Sequence, residues 1–228
     1  MNGSGGLRYR CLILDHDDTA VDSTRVIHYP AHLAMLSRLR PRTEPIDLEG
    51  WYLKNFDPGI MGYLTGELHM TPQELAEEFT IWREYTASRV PEFFPGFVEL
   101  LSAFRRRGGF VTVVSHSERE IIERDYRLNA GGDAPLPDVI YGWDHEESRR
   151  KPSPWPVMQI LERLSVKPEE ALIIDDLKPA VLMGRASGVD VAAAGWSHHV
   201  PEIRRYMEAN CVAYFERIED LTVWLLGS

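Results

Sequence analysis

Apolar and polar positions alternate between two regimes along the chain. Residues 9–14, 110–114, 139–141, 171–174, 189–194 and 212–215 are short, nearly continuous apolar runs, rich in Val, Ile, Leu and Ala. Runs of that length without alternation predict strands buried on both faces, as in a parallel sheet. Between most of them lie stretches with apolar residues three and four apart, at 97–107 before Gly108, at 153–164, and at 180–187 before Gly188. That spacing predicts helices, and a glycine just past the last turn is a common stop. Strand and helix in alternation predict an α/β fold with a doubly wound parallel sheet.

One interval breaks the rhythm. From residue 23 to residue 90 the apolar positions follow helical periods and no strand-like run stands out. The segment therefore reads as a helical insertion between the first and second strands. Its clearest helix opens with Thr71, Pro72 and Glu74, the pattern of an N-cap, a first-turn proline and a capping box. Leu75, Phe79 and Trp82 then share a face. Pro91, Pro95 and Gly96 mark the return to the core. The expected division is residues 1–22 and 91–228 as an α/β core, with 23–90 as an α-helical cap.

Composition narrows the partners. In 228 residues, 44% are hydrophobic and 26% charged, ordinary values for a folded protein. Thirty-five acids against twenty-five bases give a formal charge of -10, which argues against nucleic acid or an anionic membrane and for a small ligand. An anionic ligand then needs local positive charge. Two cysteines, Cys11 and Cys211, do not make a disulfide framework. With no signal-like start and no apolar run of membrane-spanning length, the cytoplasm is the expected compartment.

Candidate chemistry clusters at strand ends. The first strand runs into Asp15-His16-Asp17-Asp18-Thr19, and carboxylates at i and i+2 share a side. Ligands of open parallel sheets bind beyond such ends. Taken singly, each further feature has an ordinary explanation. Ser115, after the second strand, reads as a turn former, Lys151-Pro152 as a surface charge before a helix, and Asp175-Asp176, after the fourth strand, as a cap with an exposed neighbour.

Taken in order, these four features resemble the motifs of the haloacid dehalogenase-like superfamily, over about Arg10 to Gly195. The large gap falls where members with an α-helical cap carry it. Pro95-Gly96, Lys151-Pro152 and the stretch 184–188 are similar to the phosphoglycolate phosphatase and β-phosphoglucomutase branch. The resemblance implies a Rossmann-like core and a Mg2+-dependent phosphatase acting on a small phosphorylated metabolite. It implies Asp15 as nucleophile and Asp17 as general acid and base. Thr19, Ser115 and Lys151 become contacts of the transferring phosphoryl group, and His116 and Lys54 candidate substrate contacts. Asp176 joins Asp15 and the Asp17 main-chain carbonyl as metal ligands, with Asp175 a ligand or supporting acid.

Three positions depart from the pattern. Asp18 stands where glycine is common, Asp175 where many phosphatases have glycine, and Ala180 where many have aspartate. Asp17 and Asp176 argue against a dehalogenase, which in this superfamily lacks the second aspartate and needs no metal. A phosphomutase shares every core residue, and His28 lies one position from the mutase's cap histidine. A catalytically silent module that binds a phosphorylated metabolite or a partner protein is the non-enzymatic alternative. Trp51, Lys54, Asn55, Arg83, Arg25 and His28 are candidate determinants of specificity in the insertion. Gly195-Trp196 and His198-His199 predict a loop beside the pocket. The expected substrate is a phosphomonoester whose leaving group has about two to six carbons, a size a closing cap can cover. The assembly is expected to be a monomer or homodimer.

Overall fold

The computed structural model describes residues 7–129 and 136–227. Its sheet has strands β1 (Cys11–Leu14), β2 (Phe110–Val114), β3 (Val139–Tyr141), β4 (Ala171–Asp175), β5 (Asp190–Ala194) and β6 (Ala213–Phe215). Every pairing is parallel, in the order β3-β2-β1-β4-β5-β6. This is the doubly wound arrangement, with its topological switch between β1 and β4.

The helices are α1 (Tyr29–Leu39), α2 (Leu48–Phe56), α3 (Ile60–Gly62), α4 (Pro72–Ser88), α5 (Phe97–Arg106), α6 (Arg119–Asn129), α7 (Trp155–Leu164), α8 (Lys178–Ser187), α9 (Pro201–Asn210) and α10 (Ile218–Leu226). A π-helical turn, Thr24–His28, runs directly into α1. Alternate residues of each central strand serve opposite layers. Leu12, Leu14, Val111 and Val113 pack with α5, α6 and α10. Cys11, Ile13, Ile173 and Val191 pack with α7, α8 and α9. Close approach is built in at Gly184 of α8, where a Cβ would lie 2.4 Å from Val191 Cγ2 and 2.9 Å from the Val189 carbonyl.

The insertion has its own apolar cluster, containing Met35, Leu36, Trp51, Tyr63, Leu64, Met70 and Ile81. It is joined to the sheet domain at several points, the linkers and helix α2 among them. Its two linkers lie side by side, the Asp22 N–H donating to the Glu92 carbonyl (2.9 Å) and the Phe94 N–H to that of Ala20 (3.0 Å). Helix α2 also docks, with Tyr52 and Phe56 buried in the α7–α9 layer. The α4 capping box forms as expected, with Thr71 Oγ1 accepting from the Glu74 N–H and Glu74 from that of Thr71.

Several boundaries move for local reasons. Residues 9 and 10 stay out of β1, and the Tyr9 hydroxyl donates to Asp190 (2.8 Å). Val189 spends its N–H on the Gly184 carbonyl at the end of α8 (3.0 Å), so β5 starts one residue later than expected. Ser153 accepts from the Trp155 N–H (3.2 Å), so it precedes α7 rather than opening it.

Candidate active site

β1 and β4 are neighbours, and their C-terminal ends deliver Asp15 and the pair Asp175-Asp176 to one place. The Asp15 N–H still donates to the Ile174 carbonyl (2.9 Å), so sheet bonding fixes the backbone there. One carboxylate oxygen from each of Asp15, Asp175 and Asp176 lies within 4.8 Å of the others, and all three residues are buried. Lys151 threads into the cluster, its Nζ 2.7 Å from Asp15 Oδ1 and 2.8 Å from Asp175 Oδ2.

Four donors converge on Asp17. Oδ1 accepts from Ser23 Oγ (2.7 Å) and His28 Nε2 (2.9 Å). Oδ2 accepts from Ser117 Oγ (2.6 Å) and Ser115 Oγ (3.3 Å). The indole N–H of Trp82 donates to His28 Nδ1 (3.0 Å). That donor leaves no room for a second ring proton, so we assign His28 as neutral, with its proton on Nε2 facing Asp17.

Electrostatics divides these acids. Burial raises Asp15, against the pull of Lys151 and with a further push from Asp17. Asp175 is pushed up to about 6, again by burial first and with Lys151 opposing. Asp176 is raised well above the usual carboxylate range by burial, then by Asp175 and Asp15. Asp17 goes the other way. Burial works against its ionisation, but the hydrogen bonds it accepts from His28 and Ser117 hold it well below that range. For Lys151 burial disfavours the charge, and Asp15 and Asp175 overcome it.

The donor set suits a hard divalent cation. Asp175 is committed to Lys151 through Oδ2 and to the Leu177 N–H through Oδ1 (2.9 Å). Asp176 is 2% exposed, and neither of its oxygens has a hydrogen-bond partner. Buried polar atoms are rarely left so. Orphaned oxygens beside two further carboxylates are the ligand chemistry Mg2+ prefers.

The remaining sequence candidates are placed as follows. The Thr19 hydroxyl is buried without a partner. His116 Nε2 lies 2.9 Å from the Lys151 carbonyl, so its ring supports the lysine's backbone. Lys54 pairs with Glu67 (2.7 Å) and lies over the Tyr63 ring rather than joining the acidic cluster. Arg83 pairs with Glu118 (3.1 Å), Arg25 with Asp22, and Trp51 packs on His32 in the insertion's own cluster. Asn55 donates to the Trp51 carbonyl (2.8 Å). Asp18 has φ of 57°, the left-handed conformation that glycine takes more easily, and its Oδ1 accepts from the Thr24 N–H (3.2 Å).

Sequence reasoning left out Ser23, Ser117 and the indole of Trp82. Ser117 had a usable signal, since it follows Ser115 by two positions in the same loop. Ser23 and Trp82 had none: Ser23 follows the first strand's loop without a motif, and only the fold of the insertion brings Trp82 to His28.

A second link ties this loop to the insertion. His16 Nε2 lies 3.1 Å from Asp125 Oδ2. Asp125 Oδ1 accepts from Arg124 Nε and Nη2, and the same guanidinium donates to the Thr86 carbonyl (2.7 Å) and the Arg89 carbonyl (2.8 Å). Arg124 thereby satisfies carbonyls at the open C-terminal end of α4.

The sheet order, the carboxylates at its switch point and the buried lysine define a class, and the chain belongs to the haloacid dehalogenase-like hydrolase family, whose model matches residues 12–194. Among curated relatives, it is 28% identical to a phosphoglycolate phosphatase of Aquifex aeolicus, over 83% of this chain and 86% of that one. It is 27% identical to the pyrophosphatase PpaX of Bacillus cereus, over 66% and 70%. Among solved structures, a haloacid dehalogenase-like hydrolase of Bacteroides fragilis superposes with a TM-score of 0.75 at 22% identity, covering 93% of this chain and 99% of that one.

Proposed function

We propose that this chain is a Mg2+-dependent phosphatase that moves the phosphoryl group of a small phosphate monoester first to Asp15 and then to water. The observation that carries the reading is the meeting of Asp15, Asp175 and Asp176 around Lys151 at the β1–β4 switch point. The names of the relatives, a phosphoglycolate phosphatase and a pyrophosphatase, support a small phosphorylated substrate.

In the first step an Asp15 oxygen attacks phosphorus, the ester P–O bond breaks, and Asp17 gives its proton to the departing alkoxide. In the second, Asp17 takes a proton from water as the water oxygen attacks phosphorus. The Asp15–phosphorus bond then breaks and phosphate leaves. The four donors on Asp17 favour its carboxylate form, the base of the second step. For the first step one of the three serine hydroxyls can turn from donor to acceptor and leave room for a proton. Lys151 opposes the rise that burial gives Asp15 and, with the Thr19 and Ser115 hydroxyls, would face the transferring oxygens.

Asp15, Asp176 and the Asp17 main-chain carbonyl would hold the metal, with Asp175 as a ligand or supporting acid. A bound divalent cation adds positive charge where clustered carboxylates would otherwise repel the anionic substrate. We assign residues 23–90 as a cap that covers the site and sets specificity. Free Cys11 and Cys211, with no helix among the described residues long and apolar enough to cross a membrane, support a cytoplasmic assignment.

The contact between His28 and Asp17 keeps a phosphomutase as a second reading, since a cap histidine is what that branch carries. One assay separates them. Phosphate release is measured over a panel of phosphorylated metabolites with and without Mg2+, with Asp15→Asn in parallel and β-glucose 1-phosphate with its bisphosphate activator included. Mg2+-dependent release, reduced by several orders of magnitude in Asp15→Asn, is expected. Glucose 6-phosphate without phosphate release would select the mutase, and neither product would select a silent binding module.

A further inference from the structure

The loop after β5 is pinned beside the reacting residues, because the Trp196 indole N–H donates to the Thr19 carbonyl (3.1 Å). Two residues on, His198 turns inward and is 8% exposed, whereas its neighbour His199 is exposed. Neither ring nitrogen of His198 has a hydrogen-bond partner. Its Nε2 lies 3.4 Å from Asp176 Oδ2, and the Tyr52 ring of α2 backs it, with centroids 4.6 Å apart. Four buried polar atoms are thus unsatisfied in one spot: both oxygens of Asp176 and both nitrogens of His198. One missing group resolves most of them. A cation held by one Asp176 oxygen makes the carboxylate an anion, and an anionic oxygen is the stronger acceptor for an imidazole N–H.

We propose that His198 is a positioning residue of the metal centre, donating Nε2–H to the Asp176 oxygen that does not face the ion, with Tyr52 of the insertion holding the imidazole in place. The proposal rests on the metal-centre reading above. Carboxylates that bind metals are themselves commonly held by hydrogen bonds, and losing such a partner costs about 10- to 100-fold in affinity. A neutral imidazole offers one N–H donor and adds no charge to the site. The metal-facing acid is thereby linked to the cap through the tilted contact of the His198 and Tyr52 rings, which no local sequence pattern records.

The test is Mn2+ and Mg2+ binding by titration calorimetry, without substrate, for the full chain and for His198→Ala, His198→Gln and His199→Ala. A loss of tenfold or more in His198→Ala, substantial recovery in His198→Gln, whose amide can still donate, and no change in His199→Ala are expected. Unchanged affinity in His198→Ala, with folding checked by near-UV circular dichroism, would overturn the proposal, as would nitrogen hyperfine coupling in the Mn2+ spectrum, which marks direct ligation. If His198→Ala fails to fold, His198→Gln decides alone, and a tenfold loss there overturns the donor role. A parent chain that binds neither ion would overturn the metal centre itself, a failure distinct from that of His198.

Discussion

Glu78 on α4 shows how position alone can make a side chain titrate near neutrality. It is half-buried, and burial pushes its carboxyl up to about 7. A folded-state pKa above the unfolded value means that the native state holds the proton more tightly. The stability tied to that proton is complete below the unfolded value of 4.5, and is lost as pH rises through about 7. Glu78→Gln should therefore stabilise the protein at pH 8 by about 1–3 kcal/mol, seen as a higher melting temperature, and have little effect at pH 4.5. Equal melting shifts at both pH values would contradict it. The side chains of the site were unequally legible. Asp15, Asp17, Asp175 and Asp176 follow apolar runs, and a strand end announces itself by composition. Nothing local marks Trp82 or His198, because their roles depend on contacts between segments far apart along the chain, and Ser23, though near Asp17 in sequence, belongs to no motif that would single it out.

Helix α4 carries both the best-marked start in the sequence and a finish that no sequence pattern showed. Its capping box was readable because Thr71, Pro72 and Glu74 lie within one turn. Its C-terminal carbonyls are met by Arg124, far along the chain. Thr71→Ala removes the hydroxyl cap and should destabilise the protein by about 1 kcal/mol. Urea denaturation would show this as a lower midpoint at unchanged slope, and no change in midpoint would mean that the rest of the insertion already fixes the turn. Strand order was implied only in outline by the alternation of elements, and the β1–β4 adjacency that unites the acids came from topology. Helix α2 shows the opposite limit. Its sequence pattern marks apolar residues but cannot assign Trp51 to the insertion's own cluster and Tyr52 and Phe56 to the sheet layer.

The protein as a unit gathers acids that resist ionisation together. Asp15, Asp175 and Asp176 are all raised, first by burial. In the metal-free protein these groups bind protons more tightly than in the unfolded chain, so stability should fall as pH rises from about 4 through about 6. On the proposed reading, a divalent cation would reverse that penalty by binding the ionised cluster. Melting with and without Mg2+ should show a larger metal-induced rise at pH 7.5 than at pH 5. The same rise at both would mean that the ion binds elsewhere.

The paired linkers carry a consequence for descent and engineering. The chain leaves the sheet domain at Ala20–Asp22 and returns beside itself at Glu92–Phe94, so everything between is a loop from the sheet's point of view. Such a segment can be lengthened, shortened or exchanged for a different module without rethreading a strand. A transplanted module would need counterparts of Tyr52, His28 and the carbonyls that meet Arg124. With those contacts supplied, a lineage could exchange the module while the carboxylates at the β1–β4 switch point stayed unaltered.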